Sequence, residues 1–518
     1  VQASDETPTS RSRRLSGLAL RHPWLVGVGL LLLVTLSMRL YWGWRVGRRL
    51  AALNAQLIAM GQPPEAQDIR FPHVPDDQNA WLVIVKAAGL DDMTSPSNSA
   101  ADYPDYPPYP ASWQAAAQKS EISNAPVLVL ARQVRDLRRS QPRTKVPSLM
   151  DGTFYMPLST ARQLANTVAD SAIYCHLYFH DDLEAVERLR DMLGISRATS
   201  ADETLVGALV TTGLDAMATH RILIIAPGLT FDRQGTRDSV KGLIAELLDE
   251  SHQTRAWPAA IASERLMSAE YTRHQSAGTW ALKPLADDDI LAAGDVLAQH
   301  ARAVEAVDAQ TFRQRMTNLP KLGKKSDINV FFSGVPRKRE VPRYSDWFEQ
   351  SETSALERAY SMRFRDLGDR RCAAVSLAAR LFRADHGGQF PQTLAELVPA
   401  YLPAVPKDPY HADGRPLGYT IVRASLPDGS DRPLVSYDAD FATDGPIDTE
   451  PMYGWHTDPT NYRKPIRQYR DLARWSPAER RFDIEQRQKQ LEEWLQWIDG
   501  LPNRVLATLL HAICSDSN

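Results

Sequence analysis

Apolar residues in this chain recur mostly at intervals of three and four, the period of an α-helix. One stretch has almost no polar positions to alternate with. Residues 24–44 read WLVGVGLLLLVTLSMRLYWGW. The first 15 carry no charge, Arg39 interrupts, and Leu40, Tyr41, Trp42 and Trp44 resume the apolar run. An arginine near a helix end can lay its guanidinium among headgroups. A helix over these 21 residues is about 31 Å long at ~1.5 Å per residue, enough to cross a hydrocarbon core of roughly 30 Å. Trp24 at one end and Tyr41, Trp42 and Trp44 at the other make an interfacial aromatic belt. A cleavable signal peptide would place small residues after a shorter apolar run, where this chain has SMRLYWGW. Gly27, Gly29 and the leucines that follow offer no polar face for a buried soluble helix. The stretch therefore predicts an uncleaved, single-pass transmembrane helix. Arg11, Arg13, Arg14 and Arg21 precede it and Arg39, Arg45, Arg48 and Arg49 follow, so basic residues alone leave the orientation open.

Beyond the span the helical period takes over. Val46, Leu50, Leu53, Leu57 and Met60 form one stripe, serving either packing or a dimer seam, and Gly61-Gln-Pro-Pro64 stops it. Asp76 or Asp77 is expected to cap a helix that runs through Trp81. Residues 94–110, rich in Ser, Asn, Pro and Tyr, read as a linker. Helices are then expected over residues 127–139, 158–179, 182–193, 202–225, 239–254, 259–274 and 290–315, with breaks at Gly194, Pro227-Gly228 and Pro258. Residues 158–225 loosely resemble tetratricopeptide-like helical hairpins, with small residues at contact positions and an acidic turn, though no strict repeat of roughly 34 residues can be laid down. Helix returns over 344–370.

The pattern changes after Arg371. Ala374, Val375, Ala378, Leu381 and Phe382 make a helix face that His386-Gly387-Gly388 ends. A short helix over 393–398 and two strands, 417–422 and 434–437, follow. In order, the chain carries Asp385, Gly387, Phe390, Pro391, Leu394, Leu397, Val398, Leu402, Pro403, Pro406, Asp408, Pro409, Tyr410, Gly414, Leu417 and Tyr419. This series resembles the C-terminal half of the major pseudopilin of type II secretion, with one extra residue in the turn before Phe390. It covers 76 of 518 residues. A pseudopilin's membrane helix carries a cleavage motif with a glutamate and runs straight into this domain. Here no such motif precedes Trp24 and more than 300 residues intervene. The layout looks like bacterial membrane-anchored proteins that carry a pseudopilin-like module. The resemblance implies an exported module, and hence a body outside the inner membrane. It also implies a Ca²⁺ site after the last strands, where Asp438, Asp440 and Asp444 would be the side-chain ligands. Oxygen-rich acidic loops suit calcium, and a solvated acidic turn is the alternative.

The fold expected is mainly α. It comprises a basic head (1–23), the transmembrane helix (24–44), a juxtamembrane helix and linker (45–123), an α-hairpin body (124–370), a small α+β pseudopilin-like module (371–446), and a C-terminal loop and helices (447–518). Ser476-Pro-Ala-Glu479 is a capping box that opens the first of those helices, and residues 505–513 form the last.

Composition adds limits. A net charge of −3 and a pI near 6.5 provide no global attraction to nucleic acid. The basic clusters at 321–325 and 336–339 read as solvated connectors or as contacts to anionic lipid. Three cysteines, Cys175, Cys372 and Cys514, cannot make a disulfide framework. His176 and His180 stand four apart on one expected helix, beside Cys175 and Asp181, a spacing that suits two metal ligands or two packing histidines. No nucleophile elbow, phosphate-binding glycine loop, dinucleotide fingerprint or C-x-x-C pair occurs. The expected function is a membrane-anchored cell-envelope scaffold or interaction protein, its partners the bilayer and other envelope proteins. The alternative is an envelope hydrolase with a site in the helical body, metal-dependent in its sharpest form.

Overall fold

The computed structural model describes residues 23–69, 73–90, 93–99, 109–142, 156–275, 283–318, 353–422, 432–437 and 453–456, with Tyr103 and Pro107. The basic head, the basic clusters at 321–325 and 336–339, the three calcium aspartates and the expected C-terminal helices lie outside the described residues. The fold is mainly helical, with one small antiparallel sheet among the described residues.

Helix α1 spans Pro23–Ala59 and merges the expected membrane segment with the stripe behind it. From Trp24 to Trp44 most of its described large apolar side chains are exposed, Leu30 to Leu33 by 62–66%, while Trp42 is half-buried. Past that point Val46, Leu53 and Leu57 are buried. Leu53 and Leu57 pack on helix α10 (Lys283–Val304), so the stripe serves packing within the chain. A Cβ placed on Gly294 would sit 3.0 Å from Leu53, and one on Gly43 would sit 3.5 Å from Pro284. The pairs Gly43–Pro284 and Leu53–Gly294 keep one sequence offset, as does Leu57 with Ala298 in the same apolar cluster. The two helices therefore run parallel. Gly61, at φ +71°, ends the run.

The body is built from α2 (Ala80–Ala87), α3 (Ala111–Ser123), α4 (Ala125–Asp136), α5 (Met156–Tyr174), α6 (Asp182–Thr199), α7 (Leu205–Ile225), α8 (Gln234–Leu248) and α9 (Ser251–Gln275), followed by α10 and α11 (Ala309–Thr317). Helices α5, α6 and α7 pack in chain order, α4 and α8 lie on α6, and α9 bridges α7 and α10. One continuous apolar core runs from Trp81 through Leu164, Leu189 and Ile222 to Tyr437. Helix α7 is also apolar enough to cross a membrane, but 67% of that stretch is buried in the fold.

Several expected boundaries moved. Gly194 does not break a helix: α6 passes through it, and a Cβ there would lie 2.6 Å from the Arg135 Cα, so the glycine lets α4 approach. Pro258 sits inside α9, and the break falls instead at Asp249-Glu250. The helix expected over 290–315 is two helices, because the Asp308 carboxylate accepts from Thr311 N at 2.6 Å and starts α11. Helix α3 follows the expected linker directly, in residues for which no helix was expected. Asn79, not Asp76 or Asp77, caps α2 by accepting from Trp81 N. The Ser/Asn-rich residues before α3 are pinned to α5: Asp170 accepts from Ser97 N and Oγ at 2.8 and 2.7 Å, and Asn98 donates to the carbonyls of Met93 and Gln163.

Helix α12 (Thr353–Asp385) runs unbroken through the boundary expected between residues 370 and 371. Gly387 and Gly388, both at positive φ, end it. A 3₁₀ turn, Leu394–Leu397, follows, started by a Thr393/Glu396 capping box. Strands β1 (Gly418–Val422), β2 (Arg432–Tyr437) and β3 (Tyr453–His456) form an antiparallel sheet in that order. In its register Tyr419 faces Val435, and Val435 faces Trp455. The first two strands were expected, whereas the third replaces an expected loop. Tyr437 lies against the bare face of Gly368, stacks on Tyr410 with ring centroids 5.7 Å apart, and donates its hydroxyl to Asp369 at 2.9 Å.

Candidate functional site

The two histidines do not share a helix face. After Tyr174 the helix widens into a π-turn, Cys175–Phe179, and His180 closes it in the left-handed conformation at φ 54°. His176 Nδ1 lies 2.7 Å from Asp182 Oδ1, while Thr230 donates to Asp182 Oδ2 from its backbone N and its hydroxyl. Burial opposes ionisation of Asp182, yet His176 and Thr230 hold its carboxyl below the usual range. His176 is thus a strut between α6 and the segment after α7. Among the described residues no group of three or more His, Cys, Asp or Glu side chains is placed to hold a metal ion. Burial lifts the Cys175 thiol to about 12, which leaves it protonated and unreactive at neutral pH.

A concavity lies elsewhere, between α3, α4 and α6. It is an open groove of about 590 Å³. Leu128 and Val129 supply apolar surface, and Glu121, Arg132, Glu184 and Arg188 supply charge. The helical period puts Glu184, Glu187, Arg188 and Asp191 on one side of α6, facing Arg132 and Arg135 one turn apart on α4. Arg132 Nε donates to both Asp191 oxygens at 2.8 and 2.9 Å, and Arg188 reaches Glu184 at 3.0 Å. Behind this layer Glu187 accepts from Arg135 at 2.6 Å and from Arg190 at 2.7 Å. Burial works to raise the Glu187 carboxyl, but the Ser239 hydroxyl and these two guanidinium groups hold it down at about 2. The charges of the groove wall are matched internally. Val129 on its rim is 66% exposed. The groove presents ion-paired side chains beside apolar surface.

A second polar cluster is sealed inside the fold. Asp215 on α7, Gln253 on α9, and Asp366 and Arg370 on α12 are all buried. Arg370 pairs with Asp215 at 3.0 Å and donates to the carbonyls of Leu247, Glu246 and Asp249, which closes the C-terminal end of α8. Gln253 Nε2 donates to Asp215 at 2.6 Å and also to Asp366. Burial resists the Asp215 charge, but Arg370 and His252 carry its carboxyl well below the usual range. Asp366 goes the other way: burial, together with the Asp215 charge beside it, raises its carboxyl. The cluster clamps three helices.

Neither polar set was foreseen. The available signal for the groove was acidic positions at intervals of three and four within a helix that is otherwise buried. Of the residues matched by the pseudopilin resemblance, Phe390, Leu394, Leu397, Leu402, Asp408, Tyr410 and Leu417 are buried. Asp408 N donates to Arg415 O, and the Asp408 carboxylate accepts from Tyr410 N at 2.8 Å, which shapes the loop before β1. Searched against protein-family models, curated proteins and solved structures, the chain matches none.

Proposed function

We propose that the protein is a membrane-anchored scaffold or interaction protein of the bacterial cell envelope. The observation that carries this reading is α1. One continuous helix presents 21 residues (24–44) with most of their large apolar side chains exposed, and its remaining turns seat Leu53 and Leu57 against α10 in a small apolar cluster. Exposed apolar surface on that scale is costly in water and is stabilised by lipid. A helix that is both span and structural element transmits its position to the body without a flexible joint.

The groove between α3, α4 and α6 is the surface proposed for partner contact, because an apolar floor ringed by ordered polar groups is the usual anatomy of a recognition site. The pseudopilin resemblance extends the proposal to an exported body and to partners in secretion-type machinery. It is supported by the inward packing of the matched positions around α12 and its sheet.

Fractionation and cross-linking test the proposal. The full chain is expected in the membrane pellet after carbonate washing, and a chain lacking residues 24–44 in the supernatant. A photo-crosslinker in place of Val129 is expected to give a protein adduct in intact membranes, and one in place of the buried Leu189 none. Retention of the deleted chain overturns the anchor, and absence of an adduct at Val129 overturns the groove.

A further inference from the structure

The parallel pairing of α1 and α10 fixes a depth. Gly43 lies 19 residues beyond Trp24, about 28 Å along the helix at ~1.5 Å per residue. A hydrocarbon core is roughly 30 Å thick. Gly43 stands beside Pro284 in the first turn of α10, so that turn shares the level at which the span leaves the hydrocarbon. Aromatic and basic groups crowd the same level. Tyr41 and Trp44 are exposed, and the Arg48 guanidinium lies over the Trp44 ring at 5.1 Å. The Lys283 side chain is 66% exposed and pairs with Asp287 one turn higher.

We propose that the first turn of α10 is a second membrane contact. Lys283 sits with Arg45 and Arg48 among the phosphate headgroups, and the body stands directly on the bilayer. Two parallel helices that meet the interface together fix the tilt of the body, which one helix alone would leave free to swivel. Basic side chains at this depth are attracted to an anionic surface. Pro284 is buried against α1, so the turn cannot lift away without parting the two helices. The inference rests on reading residues 24–44 as a span.

The test uses the full chain in nanodiscs of mixed phosphatidylcholine and phosphatidylglycerol. Cys514 is replaced by Ser, and Cys175 and Cys372 are buried and do not label. Nitroxide labels are placed singly through Lys283→Cys, Leu32→Cys and Val307→Cys. Residue 32 lies mid-span, and Val307, 77% exposed, follows the far end of α10. Power saturation by oxygen and by a water-soluble nickel complex reads depth. The label at 283 is expected to show several-fold less nickel access than the one at 307, and less oxygen access than the one at 32. Equal nickel access at 283 and 307, with 32 still in lipid, overturns the second contact alone. Nickel access at 32 as well overturns the span and the contact together.

Discussion

Asp215 and Asp366 accept hydrogen bonds from the same amide nitrogen, yet their carboxyls are driven in opposite directions. The physical reason is that one guanidinium neutralises one carboxylate, and a second charge beside it would be buried without compensation. A carboxyl raised on folding holds its proton after the unfolded chain has lost it. Its penalty is therefore absent below the ordinary value of 3.8 and grows as pH rises above that, until the folded carboxyl itself ionises. Asp366→Asn, which imitates the neutral acid, is expected to raise stability at pH 7 and to leave it unchanged at pH 3. Asp215→Asn strands Arg370 and is expected to cost about 3–5 kcal/mol. Urea melts of the two variants at both pH values check this. Glu187 has the opposite sign. Its carboxyl is held at about 2 against an ordinary 4.5, so its contribution is complete above pH 4.5 and is lost as pH falls towards 2. At ~1.36 kcal/mol per unit that is on the order of 3 kcal/mol. Glu187→Gln is expected to flatten the acid limb of a plot of Tm against pH.

Helices in this fold are closed by residues far away in the chain. Arg370 takes the last carbonyls of α8, and Arg363, seven residues earlier on the same face of α12, takes those of Val304 and Ala306 after α10. That satisfies the end of α8 at Leu248 although no glycine or proline follows it there, while α9 passes through Pro258. Local rules for helix ends see Pro258, but they do not see an arginine more than 100 residues away. Gly194 was misread for the same reason, since its role is contact with Arg135 rather than freedom of φ. Gly194→Ala is expected to lower stability by about 1–3 kcal/mol, as overpacking does. Gly213→Ala on α7, with nothing within 4 Å of the new methyl, is expected to raise it by about 0.5–1 kcal/mol through helix propensity alone. Thermal melts of the pair decide between these two uses of glycine. Helix α3 escaped notice because its buried positions, Trp113, Ala117 and Ser120, include only one large apolar side chain.

At the scale of the whole molecule, the segment that carries the pseudopilin resemblance is not a separable appendix. Arg371 holds Glu250 of the body at 2.6 and 2.7 Å and the Lys407 carbonyl at 2.8 Å. Ala309 N, at the start of α11, donates to Pro409 O, and Tyr437 reaches Asp369 across the boundary. A fragment that begins at residue 371 is expected to show no cooperative melt by far-UV circular dichroism, and a chain ending at 370 is expected to melt earlier than the full chain. A sharp transition in the isolated fragment would refute this.

Much of what depends on a residue and its near neighbours was legible in the sequence, though the local caps at Asn79 and Asp308 were not. The long apolar N-terminal helix, the helical stripe behind it, the turn at Gly387-Gly388, the first two strands and the mainly α class follow from local period and backbone preference. The tertiary structure decided what depends on distant partners: which charges are buried, where α8 and α10 end, and how Asp182 is held between His176 and Thr230. It also decided that α1 runs parallel to α10. Hydrophobic period states that a face will be covered, but the partner is chosen by shape and charge across the fold, and those meet only when the chain has folded.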